Sequence, residues 1–261
     1  MKDIPSEYLN PCDRPGRLEE LPVPGFPNMV VYLPAGYDES ADHYSTFFLL
    51  HGGGGDPYAF FGDDGRTKNM LDHMIAAGEM APMIVAAPTY YPPGRKGEGI
   101  AYSDTAVREF GPVLLNTIIP LMDQTYRTIP ERIHRGIGGF SMGAVAVWYM
   151  IVAGLRELYW FMPMCGDCWL CGERGGGAHP SQTAGLLAAS LRGETFFIHT
   201  LIGDRDIAFP NLDPQMQAMK KEYADIFGKN MKYSVLPGGV HDYPDVRRYI
   251  YNALPGFFTA D

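Results

Sequence analysis

Ile133-His134-Arg135-Gly136-Ile137-Gly138-Gly139-Phe140-Ser141-Met142-Gly143-Ala144-Val145-Ala146-Val147-Trp148-Tyr149-Met150-Ile151-Val152-Ala153-Gly154-Leu155 is the stretch on which the fold turns. It passes from a glycine-rich apolar run into a serine and then into residues that are apolar on every side. The first part reads as a buried strand over 133–140, and the last as a helix over 144–155 buried in the middle of a domain. Between them lies G-x-S-x-G, Gly139 to Gly143. A serine at a sharp strand-to-helix turn occupies a strained backbone, and side chains two positions away would collide with neighbouring elements. The turn lifts Oγ clear of the sheet and aims the following helix N-terminus at a centre where negative charge develops.

Outward from this centre, strands and helices alternate. Met29–Leu33, Ser45–Leu50, Met83–Ala87, Leu158–Met164, Thr195–Ile202 and Met231–Leu236 read as strands. Helices are expected at 69–77, 105–126 (kinked or starting late because of Pro112 and Pro120), 182–191, 214–227 and 243–254. This pattern implies an α/β fold with a mainly parallel central sheet and helices on both faces. No linker or repeat divides the chain, so a single domain over 1–261 is expected. Residues 1–25, with five prolines, read as an N-terminal arm, and 165–180 as a pocket-side insertion.

The 261 residues are 46% hydrophobic and 20% charged, which fits a globular chain with a sizeable core and excludes disorder, collagen and coiled coil. Net charge is −9, with Lys and Arg scattered, so no basic stripe offers itself to nucleic acid. No apolar run reaches the roughly 18 to 20 residues of a membrane span. Met1–Pro5 has no apolar h-region, so no secretory signal is read here. A removed signal, or excision from a longer secreted protein, would look the same, and localisation stays open. So does the oligomeric state.

A serine nucleophile needs a base, and the base an orienting acid, each on a loop after a later strand. Three histidines follow Ser141. His199 falls inside a strand and reads as a core histidine; His179 has no strand before it. His241 follows a strand and the flexible turn Pro237-Gly238-Gly239-Val240, and is the expected base. Gly203-Asp204-Arg205-Asp206 offers two acids. Loop reach favours Asp206, with Asp204 the local alternative as a partner for Arg205. Two backbone donors are needed for an oxyanion. Met142 supplies one, and the loop His51-Gly52-Gly53-Gly54-Gly55 the other, with Gly53 the expected donor. A phosphate-binding reading of that loop lacks both G-K-[ST] and G-x-G-x-x-G.

These residues resemble the α/β-hydrolase esterases of the first carbohydrate esterase family, which contains feruloyl and acetylxylan esterases. The chain is similar, more distantly, to esterase D and the enterochelin esterases. The resemblance runs through Val31-Tyr32-Leu33-Pro34-Ala35-Gly36-Tyr37, Leu50-His51-Gly52-Gly53-Gly54, Gly138 to Gly143 and Gly238-Gly239-Val240-His241-Asp242. It implies Asp206 as the acid, two-step ester hydrolysis through an acyl-enzyme, and no metal or organic cofactor. It also implies a feruloylated oligosaccharide or polysaccharide of plant cell-wall xylan as substrate, with acetylxylan or a small-molecule thioester as the alternative and acyl transfer a more distant one. Cys165-Gly166-Asp167-Cys168-Trp169 corresponds to a family segment that reads Ser-Gly-Asp-aromatic-Trp. Trp169 is then expected to flank an aromatic acyl ring and Asp167 to contact a hydroxyl. The competing reading packs Trp169 as a core lid with Asp167 capping a turn. Thr89-Tyr90-Tyr91 is a second rim candidate through Tyr90. Cys165, Cys168 and Cys171 form C-x-x-C-x-x-C, which lacks a fourth ligand unless Cys12, His179 or an acid supplies it. Free thiols or one local disulfide are the favoured reading.

Overall fold

The computed structural model describes residues 1–96 and 99–259. Eight strands form one sheet: β1 (Arg17–Leu21), β2 (Met29–Leu33), β3 (Ser45–Leu50), β4 (Met83–Ala87), β5 (Arg135–Phe140), β6 (Trp160–Met164), β7 (Phe197–Gly203) and β8 (Met231–Leu236). Their spatial order is β1-β2-β4-β3-β5-β6-β7-β8; β1 and β2 pair antiparallel, β2 meets β4 antiparallel, and every other neighbour pair is parallel. The helices are α1 (Thr67–Ala76), α2 (Ile100–Val113), α3 (Ile119–Thr125), α4 (Met142–Ala153), α5 (Gly175–Ala178), α6 (Pro180–Leu191), α7 (Phe209–Glu222), α8 (Ala224–Asn230) and α9 (Tyr243–Ala253).

Every residue of β4, β5 and β6 is buried, so the sheet is covered on both faces. That is why these strands are apolar runs rather than alternating ones. The glycines of β5 have a specific cause. A Cβ on Gly136 or Gly138 would lie 2.8 Å from the ring of Phe47 on β3, so a bulky aromatic next door fixes glycine here. Helix α4 packs against β3, β5 and β6, and nine of its twelve residues are buried, which explains why it shows no polar face.

Three expectations are revised. The arm is partly sheet: Arg17–Leu21 pairs with β2 as the edge strand. Its exposed and half-exposed residues, including Glu19 and Glu20, hide it from a search for apolar runs. The stretch 105–126 starts earlier, at Ile100, and a wider π-helical turn at Leu114–Ile118 separates α2 from α3. Pro112 and Pro120 flank that turn, which absorbs the disruption each introduces. Finally, the helix expected at 214–227 begins at Phe209, with Pro210 in its first turn where no N–H is needed, and breaks at Tyr223 into α7 and α8.

Candidate active site

All the candidate residues lie just beyond the C-terminal ends of parallel strands, where an open α/β sheet leaves its crevice. Ser141 follows β5, Asp206 follows β7 and His241 follows β8. The loop 51–56 follows β3, and Thr89–Tyr91 follows β4.

Ser141 has φ 55° and ψ −116°, a conformation L residues rarely adopt. Three backbone hydrogen bonds hold it: its N–H donates to Met164 O at 2.9 Å, and its carbonyl accepts from Ala144 N–H at 2.8 Å and from Val145 N–H at 3.1 Å. The flanking glycines are sterically required. A Cβ on Gly139 would lie 2.3 Å from Gly143 O, and one on Gly143 would lie 2.3 Å from Leu50 O.

His241 stands between the serine and the acid. Its Nδ1 lies 2.8 Å and 2.9 Å from the two oxygens of Asp206, and its Nε2 is 2.9 Å from Ser141 Oγ. A carboxylate only accepts, so Nδ1 carries the proton and Nε2 offers its lone pair to the serine hydroxyl. That tautomer is the one a general base requires. The ring also packs on Phe140, centroids 4.6 Å apart.

Local sequence explains why histidine and acid meet. Asp242 caps α9 by accepting from Asp245 N–H at 2.9 Å, and Asp245 reaches back to Val240 N–H at 2.6 Å. His241 is thereby fixed between a capped helix and the turn after β8. The two loops are stitched together: Arg205 N–H donates to Gly239 O at 3.0 Å, and Gly238 N–H donates to Asp204 Oδ1 at 2.6 Å. Asp204 thus secures the turn, while Asp206, 3% exposed, turns inward to His241 and also accepts from Ala208 N–H at 2.7 Å. His199 lies in β7 with Nε2 2.9 Å from Ser234 Oγ, and His179 precedes α6. Neither reaches the serine.

The glycine loop is held from two sides by tyrosines that sequence reading missed in this role. Gly52 N–H donates to Tyr243 Oη at 3.3 Å, Gly54 N–H to Tyr91 Oη at 3.0 Å, and Gly55 N–H to Gly52 O at 3.0 Å. Among the described residues Gly53 N–H has no acceptor. A Cβ on Gly53 would lie 3.2 Å from Met142 Cγ, so the two expected oxyanion donors are neighbours. Met142 N–H opens α4 and has no intrahelical partner. His51 beneath the loop is 1% exposed; its Nδ1–H donates to Gly52 O and its Nε2 accepts from Thr89 Oγ1, both at 2.8 Å. Burial lowers its pKa to about 4, so the ring is neutral.

A cavity of about 550 Å³ opens over Ser141 and His241. Tyr91, Met142, Val145, Trp169 and Ile207 give it aromatic and aliphatic walls. Trp169 and Asp167 both border it, yet Asp167 is committed to local structure: its oxygens accept from Trp169 Nε1–H at 3.1 Å and Gly176 N–H at 2.9 Å. Trp169 thus keeps its place on the cavity wall, while Asp167 takes the structural part of the competing reading and orients the indole. Burial raises its pKa. Tyr90 is a correction. It is 1% exposed, its hydroxyl donates to His51 O at 3.2 Å, and Tyr91 borders the cavity in its place. Both rings pack on His51, with centroids 4.5 Å and 5.6 Å from it and 4.6 Å from each other, and sequence alone did not say which of the two reached the cavity.

The segment 165–180 is ordered around this wall, with Cys168 N–H donating to buried Gln215 Oε1 at 2.7 Å. All four cysteines are free. Cys165 lies under the site, its sulfur within 4.8 Å of ligand atoms of both Asp206 and His241. Burial, then the nearby Asp206 charge, pushes its thiol well up; burial pushes that of Cys168 up to about 12.

Residues 25–154 match the Esterase family model. The chain is 35% identical over 280 residues to endo-1,4-beta-xylanase Y of Acetivibrio thermocellus, covering 98% of this chain but 24% of the xylanase. It thus spans about a quarter of that relative's length. A mutant feruloyl esterase module from Clostridium thermocellum, complexed with sinapinate, superposes with a TM-score of 0.83 at 34% identity, covering 98% of this chain and 92% of the module. A CE1 ferulic acid esterase from Anaeromyces mucronatus, complexed with ferulic acid, shares the fold, with a TM-score of 0.71 at 20% identity and coverage of 97% and 96%.

Proposed function

The chain belongs to the α/β-hydrolase esterases of the first carbohydrate esterase family, and from that premise we propose that it is a serine esterase releasing hydroxycinnamic acids, ferulate in type, from xylan or its oligosaccharides. The observation that carries this reading is the hydrogen-bonded series Asp206–His241–Ser141 on the floor of a cavity walled by aromatic and aliphatic side chains. Relatives whose names state feruloyl or ferulic acid esterase activity support the choice of acyl group.

Ser141 Oγ attacks the ester carbonyl while His241 Nε2 takes its proton. The carbonyl oxygen gains negative charge, which Gly53 N–H and Met142 N–H stabilise together with the N-terminal end of α4. The tetrahedral intermediate collapses, His241 returns the proton to the leaving alkoxide, and the acid stays bound to Ser141 as an ester. Water, deprotonated by His241, then attacks the acyl-enzyme, and as the second intermediate collapses His241 returns that proton to Ser141 Oγ and the acid is released. Asp206 holds the Nδ1–H tautomer and stabilises the imidazolium in both steps. Trp169, fixed by Asp167, offers its face to the aromatic ring of the acyl group.

The test is hydrolysis of methyl ferulate against 4-nitrophenyl acetate, with Ser141→Ala as control. Wild type is expected to prefer the ferulate ester, and Ser141→Ala to lose at least about 10³-fold on both with its fold intact by circular dichroism. Full activity in that variant overturns the mechanism. Activity on acetate alone keeps the mechanism and discards the hydroxycinnamate cavity.

A further inference from the structure

A second cavity, about 420 Å³, opens on the other side of the nucleophile. It shares Gly53, Gly54, Ser141 and His241 with the first, so the two meet at the reacting atoms. Their remaining walls differ in chemistry. The first adds the Trp169 indole and the aliphatic side chains of Met142, Val145 and Ile207, with Ser103, Asp167, Arg174 and Asn211 also on its wall; the second adds Gly52 and Gly55, the side chains of Asp56 and Lys96, and the rings of Phe140 and Tyr243.

An ester carbonyl carries two substituents. With its carbon over Ser141 Oγ and its oxygen toward Gly53 and Met142, the acyl and alkoxy groups must leave the carbon in different directions. The first cavity, with the Trp169 indole and the aliphatic side chains of Val145 and Ile207, suits an aromatic acyl group, which leaves the second to the alkoxy side. The alkoxide must also come within reach of the proton on His241 Nε2, a requirement the second cavity meets because His241 borders it as it does the first.

We infer that the second cavity is a subsite for the sugar bearing the ester, with Asp56 and Lys96 as its hydroxyl-binding groups; this rests on the esterase reading above. Lys96 Nζ donates to Asp56 Oδ2 at 2.8 Å, and Tyr58 N–H donates to Asp56 Oδ1 at 3.0 Å. The pair is half exposed, with side-chain exposures of 51% for Lys96 and 47% for Asp56. A carboxylate with free lone pairs and an ammonium with spare N–H bonds together match hydroxyls, which both donate and accept. Phe140 and Tyr243, centroids 5.1 Å apart, supply aromatic surface for the apolar face of a sugar ring. An ordinary exposed ion pair has no such setting at a reacting centre and contributes little to stability.

The experiment holds the acyl group constant and varies the alcohol. kcat/KM is measured on a feruloylated arabino-oligosaccharide and on methyl ferulate, for wild type, Asp56→Ala, Lys96→Ala and the milder Asp56→Asn and Lys96→Met. The sugar-to-methyl ratio is expected to fall about tenfold in each alanine variant, mostly through KM on the sugar ester. A general folding defect lowers both rates and leaves the ratio alone. An unchanged ratio overturns the subsite, as does a wild type with no preference for the sugar ester. Wild type inactive on both ferulate esters overturns the hydroxycinnamate reading instead. The same ratio is then taken between acetylated xylo-oligosaccharide and ethyl acetate, and its response to the four variants decides the subsite. Inactivity on all four esters overturns both.

Discussion

Asp204 and Asp206 are two residues apart, carry the same group, and do different work. Asp206 is buried with both oxygens on His241 Nδ1, whereas Asp204 accepts from the backbone of Gly238 in the neighbouring turn. An amide in place of Asp206 offers an N–H as well as an acceptor, so it favours the wrong imidazole tautomer and withdraws the charge that stabilises imidazolium. Asp206→Asn is therefore expected to lower kcat by about 10³-fold or more. Asp204→Asn keeps an acceptor for Gly238 and is expected to change kcat by less than about tenfold. Steady-state kinetics on one ester settles the pair, and the reverse order would move the acid to Asp204. Loop reach in the sequence favours Asp206 but keeps Asp204 as an alternative, because loop position says where a side chain starts but not which way it turns.

At the scale of the element, the strand–turn–helix β5–Ser141–α4 is held by contacts that admit no substituent. Gly143 faces the carbonyls of Leu50 and His51 at the end of β3, with a Cβ position 2.3 Å and 2.6 Å from their oxygens. Because the obstruction is backbone, no side chain can rotate away. Gly143→Ala is expected to destabilise the protein by at least about 3 kcal/mol, read as a lower urea midpoint or as loss of soluble protein. A midpoint equal to wild type would show that β3 and α4 separate more easily than this packing implies. This element was legible in the sequence because its requirements are local: glycine at fixed spacing, an apolar strand, an apolar helix. The edge strand β1 was not, since pairing with β2 and not burial holds Arg17–Leu21 in place. The split between α7 and α8 is likewise a matter of what they pack against. At the site, Ser141, His241 and the glycine loop could be read from motif and order. The inward turn of Tyr90, the tethering by Tyr91 and Tyr243, and the commitment of Asp167 could not, because each depends on a partner distant in sequence.

For the whole molecule, buried His51 and half-buried His199 set the acid limit. His51 under the glycine loop and His199 in β7 are both lowered from 6.5 to about 4 by burial. Below pH 6.5 the unfolded chain binds a proton at each ring, while the folded protein refuses it until about pH 4. Stability is thus expected to fall as pH drops through that window, by about 1.4 kcal/mol per pH unit for each ring, and this contribution levels off below it. Urea unfolding at pH 7, 6 and 5 checks the slope, and His199→Gln should reduce it by the share of one ring. A slope identical in that variant would remove His199 from the account. One feature of the architecture reaches beyond any single molecule. The Trp169 part of the proposed acyl-side wall hangs on the chain after β6, whereas the proposed nucleophile, acid and base follow β5, β7 and β8. Inheritance can therefore act on the two separately. A lineage can exchange the segment around Trp169 and acquire a new diet of esters while the machinery that breaks them passes down unaltered.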